Sequence, residues 1–77
     1  MSEGLPPRLL RALELAYAVE GVVAARVWQV PGGVAVGARG GAFASPTDLL
    51  RRVELSVAGL REPGEIWEFG ILDDVRS

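Results

Sequence analysis

The feature that most restricts the fold is the tripeptide Pro31-Gly32-Gly33, which separates two segments whose apolar residues alternate. Proline fixes φ and glycine tolerates positive φ, so the tripeptide predicts a tight turn. Residues 22–30 and 33–40 then form two strands of a hairpin. The register pairs Val30 with Gly33, Trp28 with Ala35 and Arg26 with Gly37. Because this register puts the valines of both strands on one face, it supports the hairpin.

Two further segments have helical periodicity. Residues 6–20 start with two prolines and end before Gly21, and residues 46–60 follow the capping sequence Ser45-Pro46-Thr47-Asp48. Apolar residues recur every three or four positions and form one stripe on each helix: Leu9, Leu10, Leu13, Ala16 and Tyr17, then Leu49, Leu50, Val53, Val57 and Leu60. Alternation over residues 65–72 predicts a last strand.

The predicted order is therefore α-β-β-α-β, and residues 1–77 form one small α+β domain. A crossover through the second helix makes the second and third strands parallel. The first strand has apolar residues on both sides, as is typical of a central strand. We therefore predict a three-stranded antiparallel sheet of order 2-1-3, with both helices on one face.

Composition excludes several kinds of chemistry. The chain has no His, Cys, Lys or Asn, and all eight basic residues are Arg. It therefore has no Ser-His-Asp triad, disulfide, Schiff-base lysine or zinc site with nitrogen or sulfur ligands. Asp73-Asp74 near Glu68 offers oxygen ligands to a hard cation, but we interpret it as solvent-exposed charge. We predict no catalytic residue, no cofactor and no metal site, and hence no enzyme.

Charge and hydropathy narrow the expected partners. The net charge of −2 gives no field that would attract nucleic acid or an anionic membrane. No apolar run reaches the length of a membrane span, and the N-terminal residues do not resemble a signal peptide. We expect a cytoplasmic protein with no membrane partner.

One face of the predicted sheet has no element left to cover it. It carries Ala24, Arg26, Trp28, Ala35, Gly37, Arg39, Ile66, Glu68, Gly70 and Leu72. Small residues make this face flat and Trp28 adds one large aromatic anchor, a combination typical of a partner interface. We predict that the interaction residues are Arg26, Trp28, Ala35, Gly37, Arg39, Ile66 and Glu68.

The favoured partner is a second copy, which gives a homodimeric interaction or regulatory module. It would form through this face or through an exposed edge, the second or third strand. An unidentified larger protein is another partner class. Alternatively, Trp28 only folds over Ala35 and Gly37 to shield the hairpin.

Two other functions stay open. Arg26, Trp28 and Arg39 on an open sheet resemble a platform for single-stranded nucleic acid, although one aromatic residue and the negative net charge disfavour it. The third hypothesis is a domain that responds to a small ligand or a metal.

The segment Gly21-Val22-Val23-Ala24-Ala25-Arg26-Val27-Trp28, a glycine turn, a valine-rich strand and Leu50-Arg51-Arg52-Val53-Glu54-Leu55-Ser56-Val57 follow one another. This pattern resembles the cytoplasmic C-terminal domain of cation diffusion facilitator transporters, over residues 6–72. The resemblance implies a ferredoxin-like fold and a homodimerising regulatory module. It does not carry over metal sensing, because the histidines of that family have no counterpart here. The BON domain has a similar element order and would imply lipid association.

Overall fold

The computed structural model describes residues 5–41 and 45–72. Its elements are α1 (Pro7–Ala18), β1 (Val22–Val30), β2 (Gly33–Gly40), α2 (Pro46–Val57) and β3 (Ile66–Ile71), and a 3₁₀ turn (Ala58–Leu60) prolongs α2. Two helices and one three-stranded sheet confirm the predicted α+β class. Among the described residues, no helix is long and apolar enough to cross a bilayer.

Local sequence explains where the elements begin and turn. Both helices have proline in the first turn, and the Ser45 hydroxyl accepts a hydrogen bond from the Asp48 N–H at 3.4 Å. Gly21 and Gly32 have φ of +99° and +82°, which allows the chain to reverse into β1 and then into β2. The hairpin register is the predicted one, with Trp28 opposite Ala35.

The predicted sheet order is wrong. The observed order is β1-β2-β3, with β1 antiparallel and β3 parallel to β2, so the sheet is mixed. The central strand is β2, and the edges are β1 and β3 rather than the second and third strands. The predicted parallel direction of β2 and β3 is right, but these strands are neighbours.

The error has a physical reason. Apolar residues on both sides of β1 indicated a central strand, yet the strand that is buried on both sides is β2, where residues 34–38 are all buried. The outer positions of β2 are too small to look like core. Gly33 gives the clearest sign of a central position, because an added Cβ would lie 1.7 Å from the Ile66 carbonyl oxygen. Only glycine lets β3 approach this closely.

Alternation predicts Val23 on the same side as Ala25 and Val27, and the helical stripe predicts Tyr17 in the core, but both side chains point to solvent. The register of β1 shifts between Val22 and Ala24, a bulge that puts Val22 against the core and exposes Val23. Tyr17 was expected in the core but is 50% exposed, because the contacts of α1 run through Leu9, Ala12 and Ala16.

The core lies between the two helices and one face of the sheet, which we call the inner face. Its buried members are Leu9, Ala12, Ala16, Ala25, Val27, Val34, Val36, Ala38, Leu49, Val53 and Val57. Helix α1 packs mainly on β1, and α2 packs on β2 and β3. The opposite side of the sheet, the outer face, therefore has no helix in the described part of the chain.

Candidate interaction surface on the outer face of the sheet

Strand register arranges the outer face in rows that run across the sheet. The rows are Val30–Gly33–Ile66, Trp28–Ala35–Glu68 and Arg26–Gly37–Gly70, followed by Ala24 beside Arg39. All seven predicted interaction residues therefore lie on one face.

Side chains of both edge strands cover the middle of this face. Ala35 is only 7% exposed and Gly37 is buried. Gly37 lies beneath Leu72, because an added Cβ would be 2.5 Å from Leu72 Cδ2 and 3.6 Å from Trp28 Cζ3. The predicted interaction residues omitted Leu72, which follows β3 and bonds through its N–H to the Ala38 carbonyl at 2.9 Å.

Covering Ala35 and Gly37 does not bury Trp28 itself. Trp28 stays 43% exposed and Ile66 is 64% exposed. The alternative role of Trp28 as a shield for the hairpin therefore accounts for only part of its surface. The remainder is an apolar surface without a cover in the described chain.

A cleft of about 190 Å³ opens between the two covering side chains. Its outer-face walls come from Trp28, Ala35, Gly37, Glu68, Gly70 and Leu72. Gly70 forms an open part of the cleft, since an added Cβ there would meet nothing within 4 Å. The walls of the cleft are mostly apolar, with one carboxylate, that of Glu68, at its margin.

Opposite charges flank this apolar centre. Arg26 lies on β1 and Glu68 lies on β3, and both are exposed. Within residues 5–41 and 45–72, neither forms an ion pair. Arg39 is half-buried in the row beside Ala24, near the end of β2.

A polar cluster that the sequence did not reveal joins α1 to the start of β3. Arg8 donates two hydrogen bonds to the Glu65 carboxylate, at 2.8 and 2.6 Å, and a third to the Leu60 carbonyl. The Trp67 indole N–H and the Glu62 backbone N–H also donate to Glu65, each at 3.0 Å. Arg8 above all, then Trp67 and Glu62, lowers the pKa of Glu65 to about 2. Because every polar group here has a partner inside the chain, we assign the cluster a structural role.

A second, smaller cleft of about 130 Å³ lies between the end of α2 and β3. It is lined by Glu54, Val57, Ala58, Arg61, Trp67 and Phe69. Trp67 and Phe69 form its aromatic wall, with ring centroids 6.4 Å apart and planes inclined by 29°. Both rings also pack on the core, so this cleft belongs to the inner layer.

No group of three or more acidic residues within the described ranges is arranged to hold a metal ion. Asp73 and Asp74, considered above as oxygen ligands, lie outside the described residues. Comparison of the chain with protein-family models, with curated proteins and with solved structures finds no match in any of the three.

Proposed function

We propose that this protein is a small, non-catalytic interaction and regulatory module of the cytoplasm, which forms a homodimer through its outer face. One observation carries the proposal: a sheet face that no helix of the described residues covers holds a half-exposed tryptophan beside an apolar cleft. Aromatic anchors next to small, desolvated pockets dominate the binding energy of protein interfaces. A second copy supplies such an anchor and such a cleft at the same time.

Residue sizes on this face also support close approach of another surface. The central strand contributes Gly33, Ala35 and Gly37, so nothing on it projects from the middle of the face. Trp28 and Leu72 therefore lie over this centre, and Ile66 is exposed at its margin. A broad apolar face of this kind favours packing of a second sheet over binding of a compact solute.

Association through an edge strand is the second form of the homodimer. The longer free edge is β1, with nine residues and neither Pro nor Lys to discourage pairing. Pairing at that edge would leave Trp28 and Ile66 exposed, whereas packing face to face removes them from water. We therefore prefer a homodimer that packs through the outer face to one that pairs at the edge of β1.

The resemblance to the cytoplasmic domain of cation diffusion facilitator transporters agrees with this proposal. That resemblance implies a homodimerising regulatory module and the element order α-β-β-α-β, which is the order of this chain. A ferredoxin-like relationship is proposed on this element order alone, because the mixed β1-β2-β3 sheet differs from the antiparallel sheet expected with it. In such a module, a larger protein that carries a matching apolar surface is the alternative partner.

Single-stranded nucleic acid is the second candidate function. The observation in its favour is that exposed Arg26 precedes the half-exposed Trp28 by two residues on the same side of β1. Glu68 lies in the same row as Trp28 and repels a phosphate backbone. Titration with oligonucleotides at low salt tests this function: absence of tryptophan quenching rejects it, and salt-sensitive quenching supports it over the homodimer.

Light scattering coupled to size-exclusion chromatography tests the homodimer directly. We expect an apparent mass that rises above 8.2 kDa as the loading concentration increases. Trp28→Glu and, independently, Ile66→Glu should return the chain to the monomer while far-ultraviolet circular dichroism stays unchanged. Leu55→Glu is the matched control, because Leu55 is 69% exposed on α2. A monomer at every concentration, or dissociation by the control alone, would overturn the proposal.

A further inference from the structure

We infer that the second copy packs face to face about a two-fold axis that runs along β2, so that Arg26 of each copy pairs with Glu68 of the other. This inference rests on the proposed homodimer and adds the arrangement of its two copies. Its basis is the charge pattern of the outer face.

Arg26 and Glu68 lie on the outer face without an ion-pair partner in the described chain. Arg51 and Glu54 on α2 also have none there, whereas the other helix charges are paired. Arg11 pairs with Glu14 at 3.1 Å and Arg52 with Asp48 at 3.2 Å, each within one helix. Arg26 and Glu68 have no such partner in residues 5–41 and 45–72, and they are separated by two strand spacings, about 10 Å, across the sheet and by one row along it. Each is thus free to meet a charge from outside.

Symmetry makes this pair self-complementary. A two-fold axis between two packed sheets, running along the central strand, brings β1 of one copy over β3 of the other. In this arrangement, Arg26 of one copy lies one row along the strands from Glu68 of the other copy. An arginine side chain can span this offset. The same operation creates the pair twice, once on each side of the apolar centre.

The Trp28 indole N–H supports the same arrangement. Trp28 and Glu68 share a row, so the axis along β2 places Trp28 of one copy opposite Glu68 of the other. This N–H has no acceptor in the described part of the chain, whereas the Trp67 N–H donates to Glu65. A buried tryptophan N–H usually has an acceptor, and the carboxylate of the second copy provides one.

The small area of the face makes the dimer reversible. Three strands of six to nine residues present about 400 Å² per copy. Standard interfaces bury about 800 Å² per partner. We therefore expect association at micromolar or higher concentrations, weakened by salt because exposed ion pairs are screened.

Charge reversal tests the pairing. Arg26→Glu and Glu68→Arg each turn both attractive pairs into repulsive ones, and should raise the dimer dissociation constant about tenfold. In an equimolar mixture of the two variants, the mixed dimer has both pairs restored. Sedimentation velocity at low salt should therefore show the mixture associating more strongly than either variant alone.

Arg51→Glu and Glu54→Arg are matched controls, because they change the net charge equally but lie on exposed positions of α2. Their mixture should behave as the wild type does. A mixture of the outer-face variants that gains nothing over this control would overturn the pairing. The wild-type and Trp28→Glu measurements still decide the homodimer, so the two proposals fail separately.

Discussion

The inner and outer faces of the sheet are built from alternate residues of the same three strands, yet they differ in what fills them. The inner face presents valines of β1 and β2 to two helices, and Val27, Val34 and Val36 are all buried. The outer face has Ala35 and Gly37 at its centre, covered by Trp28 and Leu72. Among the described residues, two helices cover the inner face, whereas side chains alone cover part of the outer face.

This difference shows that burial does not require a second layer of secondary structure. Small outer residues on β2 let Trp28 of β1 and Leu72, just after β3, fold over the centre of the sheet. Trp28 stays 43% exposed and, with Ile66, forms the exposed apolar surface. The described chain thus buries its central strand from both sides and still exposes apolar surface on the outer face.

The largest expected effect is a loss of stability on truncating a leucine of the core, compared with truncating an isoleucine of the outer face. Leu9 is 1% exposed, so Leu9→Ala should lower the free energy of unfolding by about 2–5 kcal/mol, much of the total for a domain of this size. Ile66→Ala should change it by about 0.5 kcal/mol or less, because Ile66 is mostly exposed. Urea denaturation measures both. Equal losses would mean that the two faces do not differ as described.

A second contrast tests the strand order through two glycines. Gly33→Ala places a methyl group against the Ile66 carbonyl and should destabilise the fold by about 1–3 kcal/mol or more. Gly70→Ala meets open space and should change stability by no more than about 1 kcal/mol. Neither glycine has positive φ, so the difference is steric. Tolerance of Gly33→Ala in thermal denaturation would contradict a β3 packed beside β2.

The polar cluster of Arg8 and Glu65 should make the stability of the fold depend on pH in the acid range. The pKa of Glu65 lies at about 2 in the folded chain and near 4.5 when unperturbed, so its stabilising effect is complete above pH 4.5 and lost as the pH falls towards 2. Arg8→Gln should therefore be less stable than wild type at pH 7, with a difference that shrinks below pH 4.5. A difference that is constant from pH 7 to pH 2 would refute this role for the ion pair.

Local signals in the sequence were sufficient for the elements and for the composition of the outer face. Helix caps, the Pro31-Gly32-Gly33 turn and alternation placed the strands, and alternation alone assigned Trp28, Arg26 and Glu68 to one side. These signals depend on neighbouring residues, and the structure reproduces the predicted hairpin register.

Features that depend on contacts between residues distant in the sequence could not be predicted from these local signals. The central position of β2 follows from contacts of Gly33 with Ile66 and of Gly37 with Leu72, across the α2 crossover. The Arg8–Glu65 pair joins residues 57 positions apart. Neither kind of contact produces a periodic pattern in the sequence. The small outer residues at the centre of β2 predict a flat surface, whereas the structure buries them.

Concentration-dependent fluorescence of Trp28 tests the central claim most directly. Trp67→Phe leaves Trp28 as the single tryptophan, and the conservative change keeps an aromatic ring in the inner layer. If the outer face is the homodimer interface, dilution from millimolar to low micromolar protein should shift the Trp28 emission to longer wavelength as the ring returns to water. A chain that dimerises by light scattering while its Trp28 emission stays constant would contradict the account.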